Sequence, residues 1–219
     1  MSDFINTIDL LGDEAVAKAL VNRTITEFND DVITVVGPSA FFGCGALTRV
    51  NLPNVTSVDA QSFSGCSVLT SANLPSLVTT SMSTFSSCSK LEIVNIPRCE
   101  SLGWSSFESC SALAFLDLPS VNDIGNSCFS GCSALKTIVL RRETTCTLGT
   151  TSAFSRTPFA SGNAGGTLLV PRSFTTEYPN ATNWSSIISG NANNRVLALE
   201  DYTVDGTITG AIDWDKLGG

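Results

Sequence analysis

The stretch LTRVNLPNVTSVDAQSFSGC, residues 47–66, returns in the same frame as LTSANLPSLVTTSMSTFSSC (69–88), then as LEIVNIPRCESLGWSSFESC (91–110) and LAFLDLPSVNDIGNSCFSGC (113–132). Cys44, Cys66, Cys88, Cys110 and Cys132 mark one column of this frame. Phe41, Phe63, Phe85, Phe107 and Phe129 stand three residues before them, and Leu47, Leu69, Leu91, Leu113 and Leu135 three after. A fixed period in the twenties is the mark of a solenoid, whose units cannot bury an apolar face alone and do so by stacking on one another.

Inside the unit, Val50-Asn51-Leu52 alternates with period two, which predicts a short strand with Val50 and Leu52 inward and Asn51 outward. Pro53, repeated as Pro75, Pro97 and Pro119, closes the strand where a missing N–H does least harm. The F-x-x-C-x-x-L spacing predicts about one and a half turns of α- or 3-10 helix on the opposite side. Stacked copies then form a parallel strand ladder on one face and short helical turns on the other.

The frame runs back to Ile25, Phe28, Ile33 and Val36, with Asp30 in the Leu52 column, so the first rung is expected to carry an imperfect, half-exposed turn. It degrades after Leu140. Arg141 replaces the proline, Glu143 the inward aliphatic, and the next phenylalanine, Phe154, arrives three residues late. Residues 155–166 read as a loop, Gly166–Pro171 as a further strand closed by proline, 172–188 as a helix interrupted at Pro179, and Arg195–Glu200 as another strand. The expected organisation is a helical cap over 1–24 with Asp13 as its N-cap, a solenoid over 25–146, an α/β cap over 147–200 and an acidic arm over 201–219.

At 42% hydrophobic and 15% charged, the 219 residues can bury a continuous core. Twelve Lys and Arg against 20 Asp and Glu, a formal charge of −8, argue against a nucleic-acid surface, which needs clustered bases. The acids gather at the ends: seven in residues 1–31 and five in 196–219. Such blocks fit solvated caps. The opening MSDFINTIDLLGDEAVAK places acids where a secretory signal needs a basic region, so no export signal is expected. No stretch approaches the ~20 apolar residues of a membrane span, and no membrane insertion is expected.

The F-x-x-C and L-x-x-V-x-L-P elements, in register over five copies across 25–146, resemble the BspA-like branch of the leucine-rich repeats. That resemblance implies a leucine-rich-repeat solenoid, a β-rich α/β right-handed superhelix, and a role in adhesion or ligand binding rather than catalysis. TLLVPRSFTTEYPNATNWSSI (167–187) is similar to the segment that closes many such domains. IDLLGDEAVAKALVNRTITE (8–27) and ALEDYTVDGTITGAIDWDKL (198–217) resemble repeat proteins of bacteriophage and prophage tail modules. The implied setting is a virion tail, with a host-surface protein or glycan as partner. A bacterial cell-surface adhesin and a ligand-free structural spacer are the alternatives.

The cysteines are the loudest chemical signal. Rungs ~4.8 Å apart bring neighbouring thiols near disulfide reach, yet an identical inward column is also what a packed core requires. They read as a structural column of reduced core thiols. Cys99, in the column of Val55, Leu77 and Val121, and Cys146, in that of Val58 and Ile124, read as core substitutions. Cys128 and Cys132 would need two more ligands to hold zinc, and the chain has no histidine. Without histidine the commonest general base is missing, and no glycine-rich phosphate loop follows a strand. The pairs Asp30–Asp31 and Asp213–Asp215 lie in the acidic terminal blocks and read as solvated. No catalytic residue, metal or cofactor is expected.

Candidate binding residues are the outward strand positions. One column holds Arg49, Ser71, Ile93, Phe115 and Thr137; the next holds Asn51, Asn73, Asn95, Asp117 and Val139. The asparagines fit a side-chain amide ladder along the stack, or could read a glycan or an extended peptide. Ile93 and Phe115 are apolar on a face that should be wet. Either a cap loop covers them or they form a binding hot spot. Met82 and Trp104, neighbours on another column, are expected to be partly buried against the helical turn.

Overall fold

A computed structural model describes residues 23–160, 162–204 and 207–208. The helical cap expected over 1–24 therefore lies almost wholly outside the described residues, as does most of the arm expected over 201–219.

Each turn of the chain contributes two short strands. The first set is β1 (Glu27–Asn29), β3 (Arg49–Asn51), β5 (Ser71–Asn73), β7 (Ile93–Asn95), β9 (Phe115–Leu118) and β11 (Thr137–Leu140). The second is β2 (Val35–Val36), β4 (Ser57–Val58), β6 (Thr79–Thr80), β8 (Ser101–Leu102), β10 (Asp123–Ile124) and β12 (Thr147–Leu148). Every pairing within the two sets is parallel, with Arg49 beside Ser71 and Ser57 beside Thr79, one repeat apart. Val50 and Leu52 are fully buried, as their alternation with Asn51 requires. In the first rung Asp30 is half-buried and its carboxylate accepts the N–H groups of Val32 and Ile33 at 2.7 and 2.8 Å, an Asx turn where later rungs have a buried aliphatic.

The F-x-x-C side differs from the helical turns expected of it. Gln61, Ser83, Ser105 and Ser127, two residues before each phenylalanine, have φ of +53 to +59°, and Gly65, Ser87, Ser109 and Gly131, two residues after, have φ of +61 to +78°. Left-handed residues at both positions forbid a continuous helix. Cys66 N–H still bonds Phe63 C=O (3.2 Å) and Leu69 N–H bonds Cys66 C=O (3.0 Å), as in 3-10 turns. The N–H groups of Gln61, Phe63 and Gly65 instead reach the next rung, at Met82, Thr84 and Ser86 C=O (2.8–2.9 Å). The spacing that reads as helical is met by turns whose alternate amides stitch rung to rung.

The two apolar columns explain the core. Phe41, Phe63, Phe85, Phe107 and Phe129 stack with ring centroids 5.0–5.8 Å apart and planes within 20°. Such offset pairs are worth about 0.5–1.5 kcal/mol each beyond burial. Beside them the thiols of Cys66, Cys88, Cys110 and Cys132 each donate to the carbonyl of the phenylalanine 25 residues earlier, at 3.0–3.1 Å. A cysteine therefore acts here as a small apolar side chain that also supplies one weak donor.

Past Leu140 the spacing changes but the stack continues. Thr147 pairs with Asp123 across a step longer than the repeat, and Phe154 sits 5.5 Å from Phe129 despite its late arrival. β13 (Thr167–Val170) pairs with β11, and β14 (Arg195–Ala198) with β13, so both strands read from the C-terminal sequence extend the first ladder. The segment 172–188 breaks up more than Pro179 alone predicts: 3-10 turns at Arg172–Phe174 and Tyr178–Asn180 precede the helix α1 (Trp184–Gly190). Trp184 donates to Cys146 C=O (2.8 Å) and Tyr178 Oη accepts from Cys146 N–H (2.9 Å), which closes the aromatic stack under buried rings. β15 (Thr203–Val204) and β16 (Thr207–Ile208) form an antiparallel pair after it.

Candidate binding surface

The outward positions of the first ladder fall into three groups. Toward the N-terminal end Arg49 and Asn95 are exposed, and Asn51, Ser71 and Asn73 are half-buried. Asn73 Nδ2 donates to Asn51 Oδ1 and Asn95 Nδ2 to Asn73 Oδ1, each at 2.6 Å, so the amides form a ladder. The ladder stops at Asp117 for a chemical reason. A carboxylate has no donor to offer Asn95 Oδ1. Asp117 turns to Arg141 instead and accepts from its guanidinium at 2.6, 2.9 and 3.2 Å.

At the C-terminal end two candidates are corrected. Thr137 is 1% exposed and Val139 0%, so neither can touch a ligand. Val139 packs with Leu169 and Leu199, and Phe115, Leu197 and Tyr202 pack against that cluster. The 3-10 segment Leu199–Tyr202 following β14 thus folds over this part of the face. Phe115 accordingly behaves as the cap-loop alternative requires, half-buried beside that segment, whereas Ile93 on the preceding rung is 64% exposed.

The two residues flank a discontinuity. The first ladder is two four-stranded sheets, β1-β3-β5-β7 and β9-β11-β13-β14, and β7 does not pair with β9. The second ladder runs unbroken from β2 to β12. Thr48, Thr70, Glu92 and Lys136 each donate a backbone N–H to the carbonyl one repeat earlier (2.7–3.0 Å), but Ala114 does not reach Glu92. Leu52 and Leu74 N–H bond Asn73 and Asn95 C=O (2.9 Å), but Ile96 N–H does not bond Asp117 C=O. Val94, in a column otherwise buried to 1% or less from Val50 to Ile138, is half-buried. A groove of about 340 Å³ opens there, lined by Glu92, Ile93, Val94, Asn95, Phe115 and Asp117 with Pro97 and Pro119.

Other surfaces offer less. On the turn side, Ser89 and Ser111 line a shallow depression with Arg156, yet both hydroxyls donate to the rung before (3.2 Å). Met82 and Trp104 are 52% and 63% exposed, against the partial burial expected; the Trp104 ring lies over Gly125 rather than under a turn. Sequence reasoning missed the seam between β7 and β9, whose one local signal is aspartate breaking the asparagine column.

The thiols lie in the core, away from the outer face. All eight cysteines are free and buried. Burial pushes Cys99 up to about 11 and Cys66 and Cys146 to about 12, with Cys88, Cys110 and Cys128 also raised by burial. Cys128 contacts Ser106 Oγ at 3.2 Å, and Cys132 donates to Phe107 C=O at 3.0 Å. Among the described residues no group of three metal-ligating side chains converges, and no helix is long and apolar enough to cross a membrane.

A family model described as BspA type leucine rich repeat region matches residues 19–161 in six copies. Among solved structures, a leucine-rich repeat protein from Bacteroides ovatus aligns with a TM-score of 0.58 at 23% identity over 80% of this chain and 42% of its own. A leucine rich cell surface protein from Faecalibacterium prausnitzii aligns at 0.53 and 16% over 83% and 50%. The T. pallidum leucine rich repeat protein aligns at 0.49 and 29% over 53% and 60%. The chain thus spans 42% to 60% of the length of these proteins. No curated protein matches the sequence.

Proposed function

The chain belongs to the BspA type leucine-rich repeat family, and from that premise we propose that it is a non-catalytic binding protein that recognises a protein or glycan through the outer face of its first ladder. One observation carries this reading: Ile93 is 64% exposed over a groove floored by Val94 and Phe115, on a column that nothing in the repeat requires to be apolar. Large apolar side chains at the centre of a concavity are where binding energy concentrates. The lack of histidine and the burial of the thiols favour binding over chemistry.

The setting we propose is a phage or prophage tail, on the resemblance of 8–27 and 198–217 to tail-module repeat proteins, with a host-surface protein or glycan as the target. The bacterial surface adhesin remains the second setting. Mass spectrometry of purified virions separates them: absence of the chain from the particle removes the tail setting.

The binding role is tested with the full chain and its Ile93→Asp variant on host cells and on protein and glycan panels. The variant should lose at least tenfold in binding with an unchanged melting temperature. Undiminished binding by the variant, or no binding by the parent to any panel, overturns the reading.

A further inference from the structure

We propose that the seam between β7 and β9 takes an extended peptide from a partner protein, held by main-chain hydrogen bonds at the unpaired rung and by one large apolar side chain seated on Ile93 and Val94. This rests on the outer face being the binding surface and names the class of ligand it takes.

Three observations point to a peptide. First, the rung-to-rung backbone bonds that recur elsewhere are missing at this one step, at Glu92 with Ala114 and Ile96 with Asp117. The N–H groups of Ala114 and Ile96 and the carbonyls of Glu92 and Asp117 thereby lack the rung-to-rung partner of their counterparts, and such main-chain groups are what an extended peptide pairs with. Second, the amide ladder ends at Asn95, because the next residue of the column is Asp117, whose carboxylate offers no donor and is engaged by Arg141. Third, the groove beside this step has an apolar floor of Ile93, Val94 and Phe115, and its lining carries Glu92 and Asp117 without a basic residue. With Asp117 neutralised by Arg141, Glu92 remains to favour a basic residue beside the apolar one.

The unbroken second ladder limits the opening. Because β8 and β10 stay paired, the rungs are hinged on that side and part only on the outer face. A full strand cannot be inserted between them. The peptide lies over the seam, reaching its main-chain groups from outside while one side chain enters the groove.

The test uses the full chain, labelled for residue-resolved amide exchange. The Ala114 and Ile96 amides should exchange at least 100-fold faster than those of Lys136 and Leu74, their partnered counterparts. The probe is a synthetic array of octapeptides alternating lysine with a large apolar residue, each paired with a copy N-methylated at alternate backbone positions. A member should bind, slow both amides at least tenfold, and lose at least tenfold in affinity on N-methylation and with the Ile93→Asp protein. Asp117→Asn, which restores a donor for Asn95, should weaken it too.

Equal binding of the N-methylated copies would overturn main-chain recognition. Binding of oligosaccharides but of no peptide would overturn the peptide class and leave the binding surface standing, whereas no binding by any probe would remove both. Ala114 and Ile96 amides as slow as their counterparts would overturn an open seam. If Ile212→Ser with Trp214→Ser then releases them, the occupant is the chain's own C-terminal segment and the proposal fails.

Discussion

Cysteine at the F-x-x-C position satisfies two demands at once: it is small enough for a core column and it donates to the phenylalanine carbonyl of the preceding rung. Replacing Cys110 with alanine removes the sulfur and that bond, and should lower unfolding free energy by about 1–2 kcal/mol in urea titration. The buried thiols, inside and outside that column, also tie stability to alkaline pH. In the unfolded chain a thiol ionises near its ordinary value of 9.0, whereas folded Cys99 and Cys66 hold their protons to about 11 and about 12. The native state therefore binds more protons above pH 9. Its stability should be fully present below that pH and fall as pH rises toward 12, which denaturant midpoints at successive pH values would reveal. Thr137 makes the opposite case. Its Oγ1 is buried without a hydrogen-bond partner among the described residues, so Thr137→Val, nearly equal in volume, should stabilise the protein by up to about 1 kcal/mol in the same assay.

At the scale of elements, stability should follow stack continuity. Phe85 touches a ring on each side, 5.3 Å from both Phe63 and Phe107. Phe85→Ala cuts the column in its middle and should cost about 3–5 kcal/mol by denaturant unfolding, because the ladder hydrogen bonds prevent the rungs from collapsing into the void. The amide ladder is a lesser term: Asn73→Ala removes two side-chain bonds on a partly wet face and should cost about 1 kcal/mol. The F-x-x-C spacing was legible as a tight reversal but not as its type. An i, i+3 pattern fits 3-10 helix and consecutive turns alike; what separates them is φ at Gln61 and Gly65, and residues such as Ser87 adopt the left-handed value without being glycine.

For the whole molecule, repeats and closing segments play different parts. Leu199, 8% exposed, packs on Val139 and Leu169 as part of the segment that covers the last rungs. Leu199→Asp would bury a charge there and should lower the melting temperature by several degrees, while Ile93→Asp should leave it unchanged. The inward residues of every rung, the parallel stacking and the two strands beyond Leu140 were all readable from the amino-acid order. Stacked rungs repeat one environment, so periodicity alone assigns Phe, Cys and Leu to the interior. Exposure on the outer face was not readable in that way. Ile93 and Val139 stand on outward columns of the same ladder, yet one is open and the other buried, because the covering segment arrives from far along the chain, at Leu199–Tyr202. The break between β7 and β9 is likewise a property of the folded stack. A repeat pattern specifies which residues align, whereas the closeness of two rungs depends on hydrogen bonds and packing summed over both ladders.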